Sequence, residues 1–278
     1  MTQTPKIALI GAGNIGISIV NGLLNSKVYQ PQNITVTRRR LHMIEELTDK
    51  GVVTSSDNAA AVKASDMVIV AVKPHQAPEV FKGIAPHLES GRHIIVSIIT
   101  GVTIEDIKNL TEHKVPVFLA MPNTAISLCE SMTCIGHNEP SEADEKKVLD
   151  LFNQLGRTLI IPEDLMGAST VLAACGIAFA LRFLRSISQG GIEIGFGAEL
   201  STLIAAQTLK GASRLILESD NHPEREIDKV TTPLGITISG LNEMEHNGFS
   251  SALIKGLITS YKKIEKVRKR DVNEWGSE

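Results

Sequence analysis

Between Ile7 and Pro162, short runs rich in Val and Ile and nearly free of charge alternate with longer mixed stretches. The runs Ile7–Ile10, Ile34–Thr37, Met67–Val72, Ile94–Ile99, Val117–Leu119 and Leu159–Ile161 read as strands buried on both faces, as in a parallel sheet. The stretches between them fit helices over Asn14–Asn25, Arg40–Lys50, Asp57–Ala64, Gln76–Leu88 and Val102–Asn109. Pro86 is expected to break the fourth of these before its end, because proline offers no N–H and its ring clashes with the preceding turn. Ser141-x-x-Asp144 has capping-box spacing and opens a helix through Leu155. Strand and helix in repetition predict an α/β fold, a Rossmann-type doubly wound sheet.

After Pro162 no strand pattern follows. Helices are predicted over Glu163–Gly190, Glu199–Ser219, Thr237–His246 and Ser250–Arg270, with Leu200, Leu203, Ile204, Leu209 and Leu215 at helical intervals in the second. The predicted domains are therefore 1–162, dinucleotide-binding, and 163–278, all-helical. Leu165–Leu181 carries no charge over a length at the bottom of the membrane-spanning range. Gly167, Ser169, Thr170 and Gly176 dilute it, so a core or subunit-interface helix is expected and no membrane partner.

Charge narrows the classes. Lys and Arg number 28 against 31 Asp and Glu, a net charge of −3, so no global basic field for nucleic acid exists. The basic run Lys262–Arg270 is expected to be a solvated helix face. Three cysteines, Cys129, Cys134 and Cys175, are too few for a disulfide framework or a four-cysteine zinc site, and the histidines are scattered. No metal is expected, and reduced thiols suit the cytoplasm. MTQTPK leads straight into the first apolar run, which is not the pattern of a signal peptide.

Gly11-Ala12-Gly13-Asn14-Ile15-Gly16 follows the first strand and opens a helix, the context that G-x-G-x-x-G needs to bind a dinucleotide. The first glycine permits the tight turn, the second lets a pyrophosphate approach, and the third lets helix and strand pack closely. The anion would sit on the free N–H groups of the helix start. The second strand ends in Arg38-Arg39-Arg40, where an NAD enzyme carries Asp or Glu for the ribose hydroxyl. Guanidinium forks suit a 2′-phosphate, so NADP(H) is favoured, with NAD(H) at lower affinity. Val72-Lys73-Pro74 and Met121-Pro122-Asn123-Thr124 end later strands at the same sheet edge, beside the nicotinamide by topology. Lys73 is either catalytic or a cation near the pyrophosphate. Asn58, Val72, Pro74, Met121 and Asn123 complete the cofactor-binding candidates.

In the helical half, Thr231-Thr232-Pro233-Leu234-Gly235-Ile236-Thr237 places hydroxyls, a proline and a glycine before an apolar helix. Either N-capping alone or a carboxylate held on exposed N–H groups explains it. With Ala71-Val72-Lys73-Pro74, Met121–Thr124, Gln207-Thr208-Leu209-Lys210-Gly211-Ala212 and Thr232–Leu241, the chain resembles pyrroline-5-carboxylate reductases over nearly its whole length. The resemblance implies NADPH-dependent reduction of a small cyclic imino acid to L-proline. It implies an intertwined helical homodimer, often built into a larger ring such as a decamer, with active sites shared between subunits. It also implies Thr237 as the hydroxyl at the imine, with Thr232, Gly235, Ile236 and Gly176 around the substrate. The family usually reads SPGGTT where this chain has Thr232-Pro233-Leu234-Gly235-Ile236-Thr237. It carries an SGSGPA-like turn where Cys175 and Ile177 stand here around Gly176. A protonated C=N is already electrophilic, so orientation matters more than a strong acid.

Two rivals differ in class. A β-hydroxyacid dehydrogenase would need a lysine on the interdomain helix, which Leu165–Leu181 lacks. A non-catalytic NADPH-binding sensor draws its support from the altered Thr232–Thr237 loop. Replacing Arg38 and Arg39 together by Ala is expected to weaken NADPH far more than NADH, since charge-assisted bonds contribute about 1.5–3 kcal/mol each. Equal losses in a titration of the two cofactors would show that these arginines do not read the phosphate.

Overall fold

A computed structural model describes residues 4–112 and 114–275, with side chains of the last helix described as far as Glu265. The leader residues Met1–Gln3 and the side chains of the basic run beyond Glu265 lie outside the described residues. The described chain forms two compact units, one running to Cys175 and including the helix from Ser260, the other Gly176–Thr259.

The first unit is built on one eight-stranded sheet. Its strands are β1 (Ile7–Ile10), β2 (Ile34–Thr37), β3 (Val53–Ser55), β4 (Met67–Val70), β5 (Ile94–Ser97), β6 (Val117–Met121), β7 (Ser131–His137) and β8 (Gly156–Ile160). Their order is β3-β2-β1-β4-β5-β6-β7-β8. The first six run parallel in the Rossmann arrangement, and β7 turns antiparallel to β6 with β8 parallel to β7. The helices α1 (Asn14–Asn25), α2 (Glu45–Asp49), α3 (Asn58–Lys63), α4 (Ala77–Ile84), α5 (Ile104–Leu110) and α6 (Glu142–Asn153) lie between strands. Two apolar clusters fill the space between sheet and helices, one around Leu9, Leu23, Phe118 and Phe152, the other around Val68, Phe81, Ile95 and Ile107. β1, β4 and β6 read as continuous apolar runs because they are covered on both faces.

The fold class predicted from the pattern is the one observed. β3 and β7 escaped it. β3 is three residues of mixed polarity, and β7 opens with polar residues. β8 starts at Gly156, before the apolar residues that signal it. Pro86 ends α4, and one tighter 3₁₀ turn follows. The helix read over Arg40–Lys50 is a 3₁₀ turn, Leu41–Ile44, followed by α2. At Ser141 the hydroxyl caps α6 by accepting from the Asp144 N–H at 3.1 Å. The Asp144 carboxylate, however, accepts from that hydroxyl and does not reach back to the Ser141 N–H.

Beyond β8, a 3₁₀ turn (Glu163–Leu165), α7 (Met166–Ser169) and a π-helical turn (Thr170–Cys175) lead into α8 (Gly176–Glu193). The single helix expected over Glu163–Gly190 is thus one unbroken helical stretch, Glu163–Glu193, with a π-helical turn inside it. By length and composition, Glu163–Glu193 is apolar enough to cross a membrane. α9 (Ala198–Leu217), α10 (Pro223–Asp228), α11 (Ile236–His246) and α12 (Phe249–Trp275) complete the chain. α10 was not predicted, being short and mostly charged. α8 and α9 pack closely at a seam of small residues. There the Ser201 hydroxyl donates to the Ser188 carbonyl at 2.7 Å, and a Cβ on Gly191 would collide with Ser201 Oγ.

Tyr29 lies in the larger core, and burial, with the charge of Asp150 behind it, pushes its phenol up to about 12. A raised pKa in the folded state means a contribution that is whole below about 10 and lost as pH rises from about 10 to about 12. Tyrosinate absorbance for Tyr29 should therefore appear with unfolding, and Tyr29→Phe should flatten that part of the stability profile. Ionisation of Tyr29 near pH 10 in the folded protein would contradict this.

Candidate functional site

The parallel register decides what meets at the sheet edge. Ile10 pairs with Thr37 of β2 and with Val70 of β4, so Gly11, Arg38 and Ala71 leave the sheet side by side. Strands in a doubly wound sheet bind ligands at this carboxyl edge, where the strand order reverses. A cleft of about 830 Å³ opens there. It is lined by the predicted Gly11, Ala12, Gly13, Arg38, Arg39, Asn58, Val72 and Lys73.

The three glycines of the loop differ in what surrounds them. Gly11 has φ +99°, and a Cβ there would lie 2.7 Å from the Ala71 carbonyl oxygen. A Cβ on Gly16 would be driven into the Gly11 carbonyl. Gly13 is unlike both. Its backbone is ordinary and extended, and a Cβ there would meet no protein atom within 4 Å. Nothing in the protein demands glycine at 13, and the space a Cβ would take lies open for a ligand. Gly13 also stands at the N-cap of α1 with no side-chain cap, leaving the first-turn N–H groups of Asn14, Ile15 and Gly16 for an external acceptor.

Around this end the charge is cationic, with Arg38, Arg39, Arg40 and Lys73 against Glu79. Thr37 donates from its hydroxyl to Asn58 Oδ1 at 2.6 Å, which fixes the Asn58 amide at the rim. The residues present fit a dinucleotide phosphate. Met43, Gln76 and Val80 also line the cleft and were not singled out from the sequence. Their only signal is place, since each follows a strand end by a few residues.

Pro74 opens the 3₁₀ turn beside the cleft, and the Lys73 N–H donates to Gln76 Oε1 at 3.4 Å. Met121 and Asn123 do not line this cleft. Met121 is buried against the Phe81 cluster. Asn123 is 8% exposed and bonded at both ends of its amide. Its Oδ1 accepts from the Ala125 N–H at 3.0 Å, and its Nδ2 donates to the Ala173 carbonyl in the π-helical turn at 3.4 Å. Burial raises the thiols of Cys129 and Cys134 above their usual value, which leaves them poor nucleophiles.

In the second unit, Thr232, Pro233, Leu234 and Gly235 form a tight turn closed by the Gly235 N–H donating to the Thr232 carbonyl at 2.8 Å. Leu234 has φ +60°, the left-handed conformation a glycine takes at the third position of such a turn. The turn is thus kept without the glycine, at a backbone cost of about 1–2 kcal/mol. Gly235 is the N-cap of α11 and has no side-chain cap. Thr237 is the second helical residue and does not cap α11. Ile236 is 94% exposed. The first-turn N–H groups of Ile236, Thr237 and Ile238 face no intrahelical acceptor. Gly176 opens α8 directly after the π-helical turn.

Comparison with known proteins matches both halves. Residues 163–267 fit the family model described as pyrroline-5-carboxylate reductase dimerisation, and residues 6–101 the one described as NADP oxidoreductase, coenzyme F420-dependent. Pyrroline-5-carboxylate reductase 2 of Dictyostelium discoideum is 43% identical over 96% of this chain and 94% of its own length. Pyrroline-5-carboxylate reductase 1 of the same organism is 46% identical over 91% of this chain, which spans only 48% of that longer protein. The crystal structure of Plasmodium falciparum pyrroline carboxylate reductase with NADP bound has a TM-score of 0.87 at 25% identity, over 96% of this chain and 99% of that one. A Rossmann-type domain followed by a helical dimerisation domain defines an oligomeric, NADP-linked oxidoreductase. Within that class, the chain belongs to the pyrroline-5-carboxylate reductase family.

Gly13 and Gly16 separate ligand binding from folding. Gly13→Ala should fold with an unchanged melting temperature, yet bind NADPH at least about tenfold more weakly, a loss of about 1.4 kcal/mol. Gly16→Ala should lose stability first. Unchanged NADPH affinity in Gly13→Ala would show that no ligand lies against the loop.

Proposed function

We propose that this chain reduces pyrroline-5-carboxylate to L-proline with NADPH. The observation that carries the reading is the pairing, in one chain of this family, of a glycine loop open at Gly13 with a helix start open at Gly235. NADPH, when bound, supplies the hydride that a protonated C=N accepts at carbon.

The protein's own part is to hold and orient. The N–H groups at the start of α1 take the pyrophosphate, and the exposed cations after β2 take the 2′-phosphate. Val72, Lys73 and Pro74 form the wall towards the nicotinamide side, and Asn58, held by Thr37 at the end of β2, lines the ribose side. Met121 and Asn123 act from behind it, holding the sheet edge. The N–H groups of Ile236 and Thr237, after the Thr232–Gly235 turn, take the substrate carboxylate. The Thr237 hydroxyl holds the ring nitrogen in near-attack geometry, with Gly176 giving room. No carboxylic or imidazole acid is required, because the electrophile arrives protonated.

The family's dimerisation domain spans residues 163–267, and the chain is oligomeric on that account. The finer reading is a homodimer assembled into a larger ring such as a decamer. The three cysteines are free thiols, which supports a reducing, cytoplasmic setting.

Thr237 separates function from structure. Thr237→Ala should lower kcat/KM about tenfold or more, the effect of losing about 1.4 kcal/mol in the transition state. NADPH affinity and melting temperature should be little changed, because Thr237 does not cap α11. Thr237→Ser should retain most activity. Turnover equal to wild type in both variants, followed by NADPH absorbance with pyrroline-5-carboxylate, would place the imine contact elsewhere.

A further inference from the structure

The three arginines after β2 are not equivalent. Arg39 and Arg40 are exposed, whereas Arg38 is half-buried and engaged along its length. Its N–H donates to the Ser55 carbonyl of β3 at 3.0 Å. Its Nη1 donates to the Ala12 carbonyl at 2.6 Å, and its Nη2 lies 3.0 Å from Met43 Sδ. Ala12 is itself buried, at the centre of the glycine loop between Gly11 and Gly13. The guanidinium therefore ties the middle of the anion-receiving loop to the end of β2, across 26 residues of chain.

A guanidinium recognises phosphate with paired N–H donors. Of Arg38's five N–H donors, one on Nη1 is held by the Ala12 carbonyl at short distance and one on Nη2 faces Met43 Sδ, so both ends of its fork already have protein partners. A phosphate gripped by this fork would compete with the bond that holds the loop receiving the pyrophosphate. We propose that Arg38 is a positioning residue that braces the glycine loop for any dinucleotide, and that discrimination of the 2′-phosphate falls to Arg39 and Arg40. The inference rests on the NADP(H) reading above. The charge near the cleft is thus divided by task, one cation preorganising the loop and two supplying selectivity.

The brace and the reader differ in two measurements on the full-length protein. One is the affinity for NADPH and for NADH by titration. The other is amide hydrogen exchange over residues 11–17 without cofactor, which reports loop opening. Arg38→Ala should weaken both cofactors by a similar factor, about tenfold, leaving their ratio within about twofold of wild type. Its loop amides should exchange several-fold faster. Arg38→Lys, which can keep one donor to Ala12, should fall between and guards against a folding defect. Paired Arg39→Ala and Arg40→Ala substitutions should weaken NADPH by at least about tenfold, leave NADH within about twofold, and leave loop exchange unchanged. Selective loss of NADPH in Arg38→Ala with unchanged loop exchange would overturn the proposal. If the wild-type protein bound neither cofactor, the reading beneath it would fail instead, and the exchange measurement would still decide whether Arg38 braces the loop.

Discussion

The helical half of this chain cannot bury its own apolar surface. Among the described residues of the unit Gly176–Thr259, Ala205 is the one buried apolar residue. Leu200, Leu203 and Ile204 on α9 remain about half exposed or more, as do Leu181 on α8 and Ile254 on α12. Each such side chain left in water forgoes about 1.5–3 kcal/mol of burial. A monomeric surface rarely tolerates an apolar face of that extent. The seam of small residues between α8 and α9 holds those two helices together, but it supplies little apolar core. The rest must come from a second copy, which agrees with the dimerisation family that residues 163–267 match.

The first unit has no such deficit. Two apolar clusters on the sheet make it rigid, and rigidity there fixes the register at Ile10, Thr37 and Val70. The register in turn sets where Gly11, Arg38 and Ala71 emerge. Chemistry is thereby divided between a rigid platform with an open anion site at Gly13 and a helical unit with an open helix start at Gly235. Both leave backbone N–H groups of a helix start without a side-chain cap, a means of holding an anion that buries no charge of the protein's own.

Much of this was legible in the sequence. Buried parallel strands announce themselves because both faces are covered, so β1, β4 and β6 stand out as charge-free runs. The glycine loop and the arginines after β2 were legible because their neighbours in sequence are also their neighbours in space. The remainder depended on tertiary context. β7 pairs antiparallel through residues whose polar start resembles a loop. The engagement of Arg38 with Ala12 joins residues far apart in sequence, and no local pattern distinguishes Arg38 from Arg39. Leu234 breaks the family's glycine pattern yet keeps the glycine's conformation, which only the backbone could show. Asn123 looked like a cofactor contact because it sits in a strand-end motif, but its buried amide is occupied by Ala125 and Ala173.

The dependence of the helical half on a second copy is tested most directly by sedimentation velocity on the full-length protein, with NADPH-dependent turnover of pyrroline-5-carboxylate measured on the same samples through a dilution series. The account predicts dimers or multiples of them wherever activity is found, with turnover per chain falling as dimers dissociate. A folded 30.0 kDa monomer that retains full turnover per chain would contradict it.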